Sequence, residues 1–305
     1  MKGFLINIGN KKIDYLKGKK LDENQVITFF THLGYQKLTL IKDNNLFNRH
    51  IILTGYYKNK KVFIKLATSK GISYLNKNEY YWYKSVSNQI NVPQIYSTGY
   101  FKNYFYFVCQ YLENNFVDLD FLSENLDLII NLSEKISQLK IKKLPADNFI
   151  KGKTPQEKFI NKTANHLQSL PKKIIKEYNL DNLFLKVKNQ ASELKTACRY
   201  GDFNINHMIL KNNQIYLIDG QLAMTQWVEY YDIAYLIQRI YSQFNHQSLA
   251  KKIVNRLLEK NYSLKKLTTI LFARAIGGFL DEYIAQGNNY QLHNEFKNWI
   301  IKQIK

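Results

Sequence analysis

The pattern of apolar residues changes once along this chain, from strand-like to helix-like, and that change limits the fold more than any other property of the sequence. Three short runs, 38–42, 49–57 and 61–67, are rich in Leu, Ile, Val, Phe and Tyr and are separated by turns of Asn and Lys. Such runs bounded by turn residues predict an antiparallel meander of three strands. The run 104–113 is apolar and aromatic, as a buried strand is. From Asn114 onward the periodicity predicts helices at 118–139, 156–170 and 180–198 and three more between 242 and 305, with a basic loop at 140–153. A β-rich beginning and a helical remainder in 305 residues, 45% of them hydrophobic, predict an α+β chain of two lobes, 1–112 and 113–305.

Two helices belong to the first lobe. Asp22 and Gln25 have the spacing of a capping box, Val26, Ile27, Phe29, Phe30 and Leu33 form a helical stripe, and Gly34 supplies the stop. The second helix, 72–86, carries Glu79 as its only acid. Just before it, in Val62-Phe63-Ile64-Lys65, strand alternation sets Lys65 on one face with Phe63 and Ala67, whereas a solvated Lys shares its face with polar residues. An ammonium inside a cleft needs a carboxylate to fix its position, and Glu79 stands at the right distance in sequence.

The densest chemistry lies in Tyr200-Gly201-Asp202-Phe203-Asn204-Ile205-Asn206-His207, followed by Ile215-Tyr216-Leu217-Ile218-Asp219. One carboxylate stands in a polar loop and a second at the end of an apolar strand. Phosphoryl transfer uses such a pair: one acid receives the proton of the attacking hydroxyl and the other holds the metal that bridges the phosphates.

These residues resemble the aminoglycoside phosphotransferase and choline kinase group of small-molecule kinases, marked by a His-Gly-Asp loop, an Ile-Asp strand end and a later Asp-Leu-Ala element, here Asp232-Ile233-Ala234. The resemblance implies a protein-kinase-like fold and transfer of the γ-phosphate of ATP, with Mg2+, to a small-molecule hydroxyl. It places the catalytic base at Asp202, the metal-binding acid at Asp219 and the phosphate-binding pair at Lys65 and Glu79. Backbone groups of Gln110, Tyr111 and Leu112 would read the adenine edge. Two positions depart from the pattern: Tyr200 replaces the His, and His207 stands where most members carry a metal-binding Asn. His207 is then the implied second ligand, with Asn206 or Asn204 as substitute if its ring packs inward, since magnesium prefers oxygen donors. The turn 43–48 has no Gly, and its Asn residues, Asn48 among them, would let backbone amides face the phosphates. In related kinases the C-terminal part forms much of the acceptor pocket, which makes Asp281, Glu282 and Tyr283 candidates for substrate contact. Trp227 and Glu229, read as loop residues bordering the cleft, and Arg199, as a phosphate contact, join them.

Lys and Arg number 44 against 24 Asp and Glu, a formal net charge of +20. A field of this sign attracts anions and repels polycations. ATP, an acidic acceptor, an anionic membrane surface or nucleic acid would each answer to it; no nucleic-acid motif or strongly basic amphipathic helix accompanies the charge, so nucleic acid is the least favoured partner and peripheral membrane contact stays open. No apolar run approaches the roughly eighteen residues of a membrane span and the start is too short and polar for a signal peptide, which predicts a cytoplasmic protein. Cys109 and Cys198 lack metal-type spacing and read as reduced, structural thiols. A pseudokinase using the same cleft as a nucleotide-binding regulator is the main alternative to an enzyme.

Overall fold

The computed structural model describes residues 4–41, 47–287 and 289–303. It opens with a hairpin that sequence periodicity does not reveal, β1 (Leu5–Ile8) and β2 (Lys11–Asp14), too short to show a period. The amide and side-chain nitrogens of Asn7 both donate to the Phe149 carbonyl in the second lobe, at 2.9 and 2.7 Å. Helix α1 (Glu23–His32) starts as expected: the Asp22 carboxylate accepts from the Asn24 and Gln25 amides. The Gln25 side chain does not close the box and accepts from Lys102 instead. Gly34, at φ +88°, lets the chain turn into the sheet.

Five antiparallel strands follow: β3 (Gln36–Ile41), β4 (His50–Tyr57), β5 (Lys60–Ala67) and, after helix α2 (Lys70–Val86), β6 (Ile95–Phe101) and β7 (Tyr104–Gln110). Their spatial order is β3-β4-β5-β7-β6, so the expected meander is extended by β7 on the far side of β5. Val26 and Phe30 of α1 pack on Leu53, Ile64, Tyr106 and Val108 in one cluster. Helix α2 belongs to a second and larger cluster, in which its Leu75, Trp82 and Tyr83 join the interior of the second lobe. The helix that carries Glu79 is thereby held against both the sheet and the helical lobe.

The second lobe contains α3 (Leu119–Glu124), α4 (Leu126–Ser137), α5 (Pro155–Ser169), α6 (Lys172–Glu177) and α7 (Leu180–Gln190). Four short strands come next, β8 (Thr196–Arg199), β9 (Met208–Lys211), β10 (Gln214–Leu217) and β11 (Met224–Val228). Helices α8 (Tyr231–Gln238), α9 (Gln247–Glu259), α10 (Leu264–Ile284) and α11 (Tyr290–Gln303) close the chain. The helix expected at 118–139 is two, broken at Asn125, whose side chain donates to the Phe121 carbonyl. The one expected at 180–198 ends at Gln190, because residues 196–199 pair with β11. That partner lies some thirty residues further on, beyond any local period. Trp227, expected in a loop, is fully buried in β11. Cys109 and Cys198 are free and buried, and burial pushes both thiols above their ordinary range. Among the described residues no helix is long and apolar enough to cross a membrane.

Candidate active site

Lys65 stands in the middle of the sheet, opposite Ile52 of β4 and Phe107 of β7. Its ammonium lies 2.7 Å from Glu79 Oε2 and 2.7 Å from Asp219 Oδ1, and the three groups form one ion cluster in which Lys65 and Glu79 are buried and Asp219 is partly exposed. Burial alone would lower the Lys65 ammonium, but the two carboxylates outweigh it and hold the group above its ordinary value, so it stays charged. Burial raises Glu79, whereas at Asp219 the adjacent Lys65 prevails and holds the carboxyl below the usual carboxylate range. Tyr83 completes the cluster: its hydroxyl donates to Glu79 Oε1 at 2.7 Å and accepts from the Asp219 amide at 2.8 Å. Sequence reasoning missed Tyr83, although it stands four residues after Glu79 on the same helix face. Asp219 lies just beyond β10 at φ 65° and ψ 46°, the left-handed region, and this backbone turn aims its side chain at Lys65.

The loop after β8 is held from below. The amides of Tyr200 and Gly201 donate to the two oxygens of Asp232, at 2.7 and 2.8 Å, from the first turn of α8. Burial pushes the Asp232 carboxyl up to about 6. Gly201 adopts φ +94°, and a Cβ there would lie 2.5 Å from the Leu222 carbonyl oxygen, so only glycine fits. Tyr200 is fully buried beside Trp82, the place its larger ring takes in this loop.

Asp202 then enters the site with Asn204 donating to its Oδ1 at 3.0 Å. Asn204 also caps the short turn Ile205–His207, which swings the His207 ring toward the two acids. His207 Nδ1 lies 3.1 Å from the Asp202 carbonyl and its Nε2 3.7 Å from Asp219 Oδ2. A proton on Nδ1, donated to that carbonyl, leaves the Nε2 lone pair on the Asp219 side. Asp202, His207 and Asp219 each offer an atom within 4.8 Å of the others, a set that fits a divalent cation with one imidazole and two carboxylates. Asn206 is exposed, and both ends of the Asn204 amide are already hydrogen-bonded. His207→Asn should therefore keep metal-dependent nucleotide binding, with an oxygen donor restored, while His207→Ala should weaken it by roughly ten- to a hundredfold. Titration of Mg2+ and Mn2+ against a fluorescent nucleotide measures both; unchanged affinity in His207→Ala would remove the ring from the metal site.

Between the lobes lies a cleft of about 470 Å3. Lys65, Glu79, His207 and Asp219 occupy its polar end, and Gln110, Tyr111 and Leu112 line its edge where β7 leaves the sheet. Ile41, Ile52 and Phe63 face Phe116, Ile209 and Ile218 across it, two apolar walls that suit a flat ring and that the sequence reading did not assign. Asn48 does not line the cleft: its carbonyl accepts from the Thr68 hydroxyl, and residues 42–46 of its turn lie outside the described residues.

The weaker acceptor candidates separate. Asp281 pairs with Arg239 at 3.3 Å, and Arg239 lies within electrostatic reach of Asp202. Glu282 instead accepts from the Asn289 amide and holds the turn after α10. Glu229 is bound by Lys266 and by the Lys195 amide, and Tyr283 is partly exposed. Glu229, Glu282 and Tyr283 are thus absent from the cleft lining, and the first two are engaged structurally. Arg199 is absent from it too, its guanidinium 3.9 Å above the Trp227 ring.

A β-sheet lobe with a Lys–Glu pair, joined through a strand edge to a helical lobe that carries the loop acid and the strand-end acid, defines the protein-kinase-like fold. The fold is that of the aminoglycoside phosphotransferase and choline kinase group. A thermostable mutant of aminoglycoside phosphotransferase APH(4)-Ia superposes with a TM-score of 0.68 at 13% identity, over 92% of this chain and 99% of that one. The amicoumacin kinase hAmiN, solved in complex with AMP-PNP, Ca2+ and Ami, gives 0.61 at 10% identity over 92% and 94%. Choline kinase LicA from Streptococcus pneumoniae gives 0.57 at 14% identity over 92% and 97%. No protein-family model and no curated sequence matches the chain.

Proposed function

We propose that this protein is an ATP-dependent phosphotransferase that moves the γ-phosphate to a hydroxyl of a small molecule. The observation that carries the reading is the convergence of Lys65, Glu79, His207 and Asp219 at the polar end of one cleft, drawn from segments up to 154 residues apart, with Asp202 beside His207 and Asp219 at its rim. Structural likeness to three kinases of small molecules supports it. In this reading the apolar walls hold the adenine beside the backbone of Gln110, Tyr111 and Leu112, and Lys65, fixed by Glu79, meets the phosphates. Asp202 accepts the proton of the acceptor hydroxyl as its oxygen attacks phosphorus and the bond to the β-phosphate oxygen breaks, leaving ADP. Asp219 and His207 would hold Mg2+, which neutralises charge on the phosphates when bound. Positioning and charge neutralisation suffice for such a transition state.

ADP release from purified protein with ATP, Mg2+ and a pool of hydroxylated metabolites tests the proposal. Product formation that disappears with EDTA supports it; tight nucleotide binding with no transfer across the pool would favour the pseudokinase reading, which Tyr200 in the His position supports.

Substrate charge gives a further expectation. An aminoglycoside is a polycation, and a chain of net charge +20 offers it a repulsive field. Kanamycin and gentamicin should raise ADP release far less than neutral or anionic alcohols do. Efficient turnover of either antibiotic would overturn this expectation and leave the kinase reading standing.

A further inference from the structure

Within electrostatic reach of Asp202, four cations from separate elements gather around two tyrosines. Arg199 from β8 stacks on Trp227 and Tyr231, its Cζ 3.9 and 4.6 Å from the ring centres. Lys162 from α5 reaches the Tyr231 hydroxyl at 3.5 Å. Arg274 from α10 and Arg239, just beyond α8, stand over the Tyr235 ring at 4.3 and 4.9 Å. Besides Asp281, the carboxylates of Asp232 and Asp147 act electrostatically on Arg199, and that of Asp202 acts on Arg239. Asp281 is the carboxylate that pairs with Arg239 and Arg274, whereas Lys162 and Arg199 have no ion pair among the described residues. Arg199 is 1% exposed and none of its three guanidinium nitrogens has a hydrogen-bond partner; Arg274 Nε also lacks one. Buried guanidinium nitrogens left unpaired cost free energy that only an anion or a set of acceptors can return.

A recess lined by Lys162, His166, Tyr231 and Arg274 opens within this group, with a volume of about 10 Å3. That is room for one oxygen-sized group. The charge there already acts on neighbouring groups: burial would raise the Tyr231 hydroxyl, but Lys162, Arg274 and Arg199 together bring it down to about 7. Tyr15, which follows the N-terminal hairpin, lies within electrostatic reach of Arg199, Tyr231 and Asp281.

We infer that this cluster is an anion subsite of the acceptor pocket, so that the molecule phosphorylated is an alcohol that already carries a phosphate or carboxylate group. One anionic oxygen enters the recess between Lys162 and Arg274, the rest of the group meets Arg239, and the hydroxyl is presented to Asp202. The inference rests on the phosphotransfer reading for the identity of the ligand as an acceptor, but the presence of an anion site does not depend on it.

The test is calorimetric titration of the full chain, saturated with AMP-PNP and Mg2+ so that the nucleotide cleft is filled, with inorganic phosphate and, separately, with succinate. Saturable binding of at least one of them is expected. Arg274→Gln and Arg239→Gln should each weaken it about tenfold or more, while Arg239→Lys, which keeps the charge, should lose much less. The stronger ligand of the two tells a phosphorylated acceptor from a carboxylated one. No binding of either anion, or equal binding in all variants, overturns the inference, as does equal loss in Arg239→Lys and Arg239→Gln. If AMP-PNP itself fails to bind, the kinase reading falls, and the same titrations on the unloaded chain still decide the anion site.

Discussion

Asp202→Asn should lower the rate of phosphoryl transfer by about two to four orders of magnitude, the range of general-base catalysis, with nucleotide affinity little changed. The amide keeps the size of the carboxylate and its Oδ1 still accepts from Asn204, so the loop held by Asp232 has no reason to move. What is lost is the ability to take a proton. Asp202 is also absent from the cleft lining, whereas Asp219 lies within it and contacts Lys65. Asp219→Asn should therefore differ in kind, losing metal-dependent nucleotide affinity together with rate. Stopped-flow transfer rates and nucleotide titrations on the two variants separate these outcomes. An Asp202→Asn protein within tenfold of the parent rate would remove Asp202 from its proposed role.

Lys65→Met should be the most destabilising single change in the site, by about 3–5 kcal/mol, because it strands a buried carboxylate and not because the ion pair is itself worth that much. Glu79 is 2% exposed and would keep the Tyr83 hydroxyl as its donor in place of an ammonium. Burial already raises its pKa, and the loss of Lys65 removes the charge that opposes that rise. A second change, Glu79→Leu, removes the stranded acid. The double variant should regain much of the lost stability in urea melts while remaining inactive, since nothing then meets the phosphates. If Lys65→Met melts like the parent, Lys65 and Glu79 are not a buried, mutually dependent pair.

Much of the site was legible because its parts are local. Lys65 stood out by sharing a strand face with Phe63 and Ala67, Glu79 as the lone acid of its helix, and Asp202, His207 and Asp219 by their places in one loop and at one strand end. The readings of Lys65 and Glu79 need only the side-chain period of a strand and the bounds of a helix, whereas those of Asp202, His207 and Asp219 rest on the paired acids and on the family resemblance of that loop and strand end. The two-lobed α+β architecture followed from the side-chain period as well. Where it failed, the deciding contact was distant: β8 was read as the end of a helix because its partner β11 lies beyond any period, and Trp227 as a loop residue for the same reason.

Sequence by itself therefore determined the fold class and the identities of the ionisable residues at the polar end of the cleft. Tertiary structure alone decided that the Tyr83 hydroxyl joins Glu79 to Asp219, that Asn48, Glu229 and Glu282 stand apart from the cleft, and that Lys162, Arg199, Arg239 and Arg274 share one place. A period tells which face of an element is buried but not which other element covers it. That choice is made by packing across segments more than a hundred residues apart, and the chemistry of the acceptor side depends on it.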